Sequence, residues 1–272
     1  MKLKNEYKPT LFFVIAFAIT WINGAFLAVT SHRGGDKNII NLLLAYMGPY
    51  LAALIMMFAY HDKPFRADFR KRIYSFSLLK KKLLPFSILL MPAAMLLSIL
   101  ISIVLGQPVE QLRFAEEFKI FDGEIILSMI ILALVPFLEE LGWRGYGVDS
   151  LAQRFNLFKT SMIFGFLWGA WHLPVFFIKN SYQSSLWIEN PIFAINFFVG
   201  IIPLAFISNY LYYKHNRSIL LLALFHILVN FSAEIFSANQ ISKCLLTGVL
   251  FLTAIMIVVR NKSFFFKEKM LT

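Results

Sequence analysis

IILSMIILALVPFLEELGWRGY, residues 125–146, is the stretch whose reading decides the fold. A run of apolar and small residues from Ile125 to Leu138 leads without a break into two adjacent carboxylates, Glu139 and Glu140. Several other segments of the chain are as apolar, and they approach the ~20 residues that a helix needs to cross a hydrocarbon core. A carboxylate in such a place is costly to insert, so it needs a partner and marks a functional site. The rest of the chain is therefore read for that partner.

Composition agrees with a membrane environment. The 272 residues are 59% hydrophobic and 15% charged, against about 25% charged in soluble domains. Eight spans can be drawn, at about 11–30, 39–60, 83–105, 124–141, 160–178, 192–213, 218–233 and 241–260. The expected fold is all-α: a polytopic membrane helix bundle of about eight transmembrane helices, with residues 1–272 forming a single integral membrane domain. The first span has a Lys-rich start but is too long for a signal-peptide core, and further spans follow it. Of the 26 Lys and Arg, 20 fall in the termini and loops on one side of these spans, which places both termini in the cytoplasm.

The net charge of +11 does not point to nucleic acid. The cations sit in short loops between apolar spans, where orientation and anionic headgroups account for them, and no folded basic domain is left over. The expected surroundings are a lipid bilayer, that of a bacterial cell membrane. Cys244 is the only cysteine, which excludes an intrachain disulfide framework, a multi-Cys zinc site and a CxxC redox pair.

Two loops stand apart. Residues 61–82 are rich in Asp, Lys and Arg and read as an interfacial amphipathic segment whose role is topological. Residues 107–123 read as a short external amphipathic helix, in which Glu116-Glu117 forms a solvated face.

Two of the five histidines, His172 and His226, lie inside apolar spans. Spans five and seven start at the face where span four ends, so Glu139, Glu140, His172 and His226 can meet at overlapping depths towards the cytoplasmic side. Glu140 and Arg144 are i,i+4, the spacing of an ion pair on one helix face. That leaves Glu139, about 100° round the helix, to face elsewhere, with His172 and His226 as its expected partners. His226 and Asn230 share a face, as do Trp168 and His172, and Gly165 and Gly169 suit close helix packing.

A carboxylate with an imidazole can activate water at a carbonyl. An Asn and a second His can donate to the developing oxyanion. Two His and a Glu are also a sufficient zinc set, so a metal held by Glu139, His172 and His226 stays open as the alternative, although no HExxH helix supports it.

Glu139-Glu140-x-x-x-Arg144, Trp168-x-x-x-His172 and His226-x-x-x-Asn230 together resemble the three motifs of the CAAX protease and bacteriocin-processing family of intramembrane proteases. The likeness covers a motif-bearing core of about residues 125–235. It implies an endopeptidase acting on a peptide or membrane-anchored protein. By resemblance, Glu139 activates water with His172, His226 and Asn230 make the oxyanion site, and Glu140 and Arg144 support it. Trp168 stands where the second motif often has Phe and keeps a flat aromatic wall. The family has been described both as metalloproteases and as metal-independent glutamate proteases; the second is favoured here, because a Glu–His pair needs no metal for this chemistry. The alternative of another class is a non-catalytic bacteriocin-immunity or membrane scaffold protein on the same fold. A proton-coupled transporter lacks the paired inverted-repeat signal.

Overall fold

A computed structural model describes residues 7–34, 38–115, 123–267 and 270–271. Its helices are α1 Pro9–His32, α2 Ile39–Tyr60, α3 Lys63–Tyr74, α4 Leu84–Val104, α5 Gly123–Gly142, α6 Val148–Ala152, α7 Leu157–Trp171, α8 Tyr182–Glu189, α9 Pro191–Lys214, α10 Ile219–Glu234, α11 Gln240–Arg260 and α12 Lys262–Phe266. Polar residues mark where the chain re-enters the bundle. The side chains of Asn38, Asp62, Asn156, Ser218 and Asn239 each accept a backbone N–H from the first turn of the helix that follows. Such caps satisfy donors that a helix start leaves unpaired.

Among the described residues, six helices are long and apolar enough to cross a membrane: α1, α2, α4, α9, α11, and α7 with the 3-10 turn Leu173–Phe177 that Pro174 imposes on its end. Their outer faces carry large apolar side chains such as Phe58, Leu89, Phe166 and Leu252 in the open. So much exposed apolar surface suits lipid and not water. The protein is a multi-pass membrane protein. α10 is apolar but shorter, at 16 residues, and α5 begins at the edge of the described residues.

α5 is central, packing on α2 and α10. A Cβ on Gly142 would collide with the backbone of Pro49 in α2, so only glycine admits this approach. Gly165 of α7 likewise faces Ile202 and Ala205 of α9 at contact distance. α1 lies against α2, and the two join α7 where the Trp171 indole donates to Thr20 Oγ1 at 2.7 Å and that hydroxyl donates to the Ala45 carbonyl at 2.8 Å.

The two loops singled out by the sequence have different outcomes. The segment after α2 does contain an amphipathic helix, α3, but it is more than a topological marker: Phe69, Arg72 and Ile73 are buried in the bundle. In the region expected to hold an external helix, Val109–Leu112 is a 3-10 turn and Phe114 pairs with Phe236 in an isolated antiparallel bridge. Glu116-Glu117 lies outside the described residues.

Candidate active site

The helix that bears the carboxylates does not stop at residue 141. α5 runs into a π-helical turn, Trp143–Gly147, and straight on into α6. Every residue from Glu139 to Ala152 is buried. At 1.5 Å per residue Glu139 is therefore roughly 20 Å from the end of this rod, deep in the bundle and not near its rim. The expected loop position of Arg144 is corrected accordingly: its guanidinium is inside, fully buried. The rod can continue because these charges are neutralised within the bundle. Arg144 donates to Glu140 Oε1 at 2.8 Å, lies over the Phe164 ring at 4.8 Å, and reaches Asn209 Oδ1 at 3.4 Å; Asn209 in turn donates to Ser161 Oγ at 3.1 Å. A π-turn is a common mark of functional sites, since it re-aims the side chains that follow it.

Glu139 is 5% exposed, and its Oε2 accepts two indole N–H groups, from Trp143 and Trp168, each at 3.3 Å. The carbonyl of Trp168 lies 2.8 Å from His172 Nδ1. A carbonyl can only accept, so Nδ1 carries the hydrogen and the lone pair sits on Nε2. Trp168 thus joins the carboxylate to the imidazole through its own two polar groups. The second histidine differs from expectation. His226 Nδ1 donates to Glu140 Oε1 at 3.0 Å, so its hydrogen-bond partner is Glu140 and not Glu139. Glu140 Oε1 receives both Arg144 and His226, while Glu140 Oε2 is buried without a partner.

Trp168, His172, His226 and Asn230 line one cavity of about 520 Å³. The rest of its wall is largely apolar and comes mainly from α8, α9, α10 and α11, with Leu204 and Leu250 among its residues. Glu139 is not among the lining residues, and is connected to the wall by the Trp168 indole that donates to it. Tyr182, Glu234 and Lys243, at the ends of α8, α10 and α11, also line the cavity. The cavity thus reaches the end of the bundle opposite Tyr7 and Lys267. The sequence reading put the four residues towards the terminal end, because it took the carboxylate helix to finish there. Among the described residues, no three His, Cys, Asp or Glu side chains are grouped so as to hold a metal ion.

Several supporting residues escaped the sequence reading. Trp143 was legible in principle, since it is i,i+4 to Glu139. Arg72, Asp149, Tyr212 and Arg217 were not, because α3, α6, α9 and the turn after α9 supply them from distant parts of the chain. Asp149 is buried with Arg72 at 3.1 Å and Arg217 alongside. The two guanidinium groups offset the charge of a carboxylate that burial has cut off from water.

The family model of type II CAAX prenyl endopeptidases, Rce1-like, matches residues 121–232, the segment from α5 to α10. A CAAX prenyl protease 2 of Methanococcus maripaludis is 36% identical over 266 residues, covering 97% of both chains. The chain belongs to the Rce1-like CAAX prenyl endopeptidase family. Membership makes it a protease, hence a hydrolase. The matched segment holds Glu139, Glu140, Trp143, Arg144, Trp168, His172, His226 and Asn230.

Proposed function

We propose that this protein is an intramembrane endopeptidase that hydrolyses a peptide bond of a membrane-associated peptide or protein by Glu/His-activated water, without a metal. The observation that carries the reading is the bridge through Trp168, which ties the Glu139 carboxylate and the His172 ring to the wall of one apolar cavity. Such a cavity suits an extended apolar segment of substrate.

Each group then has a task. With Oε2 of Glu139 held by two indoles, Oε1 is the oxygen that takes a proton from water. His172 Nε2, its lone pair free, orients that water by accepting its second hydrogen. The water oxygen attacks the carbonyl carbon and the carbonyl electrons move onto oxygen. Asn230 Nδ2 donates to that oxyanion. Donation from His226 Nε2 requires the doubly protonated ring, whose charge the Glu140 carboxylate 3.0 Å away offsets. Collapse of the intermediate breaks the C–N bond, and the proton held by Glu139 passes to the leaving amine.

The metal-independent reading rests on the donors. His226 Nδ1 is held by Glu140 and Glu139 Oε2 by two indoles, and among the described residues Glu139, His172 and His226 are not grouped as a set of metal ligands. The finer topology is also part of the proposal: eight spans, with α5 and α10 completing the six long ones, and both termini cytoplasmic in a bacterial cell membrane. Arg72 and Arg144 drop out of the loop cations on that side, because both are inside the bundle, yet the asymmetry survives their loss.

The relative is named a CAAX prenyl protease, so a farnesylated peptide ending in a CAAX sequence is the first probe. Purified protein reconstituted in vesicles should cleave it. Glu139→Gln should lose roughly 100- to 10,000-fold in kcat, and His172→Ala a comparable amount. Equal cleavage by all three would overturn the mechanism, and full activity of a metal-free sample is expected.

A further inference from the structure

α3 lies outside the apolar spans, yet Arg72 sends a charge through its inner face into the bundle and is 2% exposed. Its guanidinium makes contacts of one kind that ordinary helix docking does not need. Nη1 donates to the Arg144 carbonyl at 2.9 Å and Nη2 to the Gly145 carbonyl at 3.1 Å, two successive carbonyls of the π-turn. The Tyr212 hydroxyl, 2.7 Å from Arg72 Nη1, also lies 2.9 Å from the Arg144 carbonyl. Asp149 pairs with both Arg72 and Arg217, and Asp68 pairs with both from the surface side, so two carboxylates offset two guanidinium groups. The residue whose carbonyl is gripped from below is Arg144, and the side chain of Arg144 holds the Glu140 oxygen that receives His226.

A guanidinium is suited to this. Its planar fork offers fixed donors to two acceptors at once, whereas an ammonium is a point charge on a flexible stem. Within a π-turn the widened backbone ring leaves the direction of each carbonyl less determined than in an α-helix, so an external clamp has something to fix. Asp68, one turn earlier on α3 and half exposed, pairs with Arg72 from the surface side and touches neither carbonyl.

We propose that Arg72 is a positioning residue of the hydrolytic site. By fixing the carbonyls of Arg144 and Gly145 it sets the π-turn, and through it the aim of Arg144 at Glu140 and of Glu140 at His226. This rests on the hydrolytic reading given above. Its consequence is that the helix on the membrane surface and the catalytic histidine form one mechanical unit.

The test uses the full-length protein in vesicles, with Arg72→Lys and, as the control that removes an ion-pair partner of Arg72 Nε but keeps both donors to the π-turn carbonyls, Asp68→Asn. The expected result is a kcat roughly ten- to a hundred-fold lower in Arg72→Lys with KM unchanged, since small displacements of reacting groups cost that much. Asp68→Asn should keep wild-type kcat. Thermal unfolding of both is measured alongside, and a loss of kcat that tracks unfolding temperature across the two variants overturns the proposal. Nitrogen-labelled histidine NMR gives a readout that does not depend on proteolysis. The His226 Nδ1 signal should move in Arg72→Lys and stay in Asp68→Asn; an unmoved signal in Arg72→Lys overturns the positioning role even if no substrate is ever cleaved. Failure of the hydrolytic reading would appear separately, as a moved His226 signal in a protein without activity.

Discussion

Trp143 stands one turn beyond Glu139 on the same rod, and its indole nitrogen lies 3.3 Å from Glu139 Oε2. The ring is fully buried, edge-on to Trp171 and Phe164 and stacked near Phe13. It is a donor that cannot swing away. With Trp168 it decides which oxygen of the carboxylate is occupied and which is left to work.

Replacing either indole by a phenyl ring tests this directly. Trp143→Phe and Trp168→Phe keep aromatic bulk and delete one donor to Glu139. A hydrogen bond to a charged group contributes about 1.5–3 kcal/mol, so kcat should fall roughly ten- to a hundred-fold. KM should stay near wild type in Trp143→Phe, whose ring does not line the cavity, whereas Trp168 is part of the cavity wall and its variant is judged on kcat. Steady-state kinetics on the reconstituted variants are the check, and a change confined to KM would remove the donors from the mechanism.

The Glu140–Arg144 pair predicts a stability asymmetry. Arg144→Met strips Glu140 of its guanidinium and leaves a buried carboxylate with His226 alone. Breaking one side of a buried pair costs about 3–5 kcal/mol. The double variant Glu140→Gln with Arg144→Met removes both charges and should recover part of that loss. Thermal unfolding in detergent, compared across the single and double variants, reads the coupling; strict additivity would mean that the pair is not coupled.

Gly142 should tolerate no side chain. Its missing Cβ is where the Pro49 backbone of α2 passes, and backbone cannot rotate aside as a side chain can. Gly142→Ala is expected to destabilise by about 1–3 kcal/mol or more, and to lower activity further by shifting Glu139 away from α7. Gly248, beside which a Cβ meets nothing, serves as the control and should accept Ala with little change in unfolding temperature.

His215 supplies a pH dependence of stability. It lies just past the end of α9, fully buried, and the Lys80 backbone N–H donates to its Nδ1 at 2.9 Å. The hydrogen is therefore on Nε2, which donates to Ser87 Oγ at 3.1 Å. Burial, then the nearby Lys80 charge, lower its pKa below the ordinary histidine value. The unfolded chain thus binds the proton first, at about pH 6.5. The contribution is fully present above that pH and is lost as pH falls towards the folded pKa. Unfolding temperature should drop between about pH 7.5 and about pH 5 in the wild type, and less steeply in His215→Gln. Identical slopes would show that His215 is not the titrating group.

The sequence alone determined a good deal here. Long apolar runs can be satisfied in lipid only as helices, so the membrane bundle followed from hydropathy. The Glu140–Arg144 contact followed from i,i+4 spacing, since both residues lie on one helix and local geometry is nearly rigid. Tertiary structure decided the rest. No pattern announced that the carboxylate helix would continue through a π-turn to Ala152, because Arg144 and Asp149 look like the end of a span until Glu140, Arg72 and Arg217 are seen beside them. That continuation moved Glu139 from the rim into the middle of the bundle. The choice of partner was also tertiary. Glu139 and Glu140 are adjacent in the chain, but they point about 100° apart. Only the packing of α7 and α10 against them gave the indoles to one and His226 to the other.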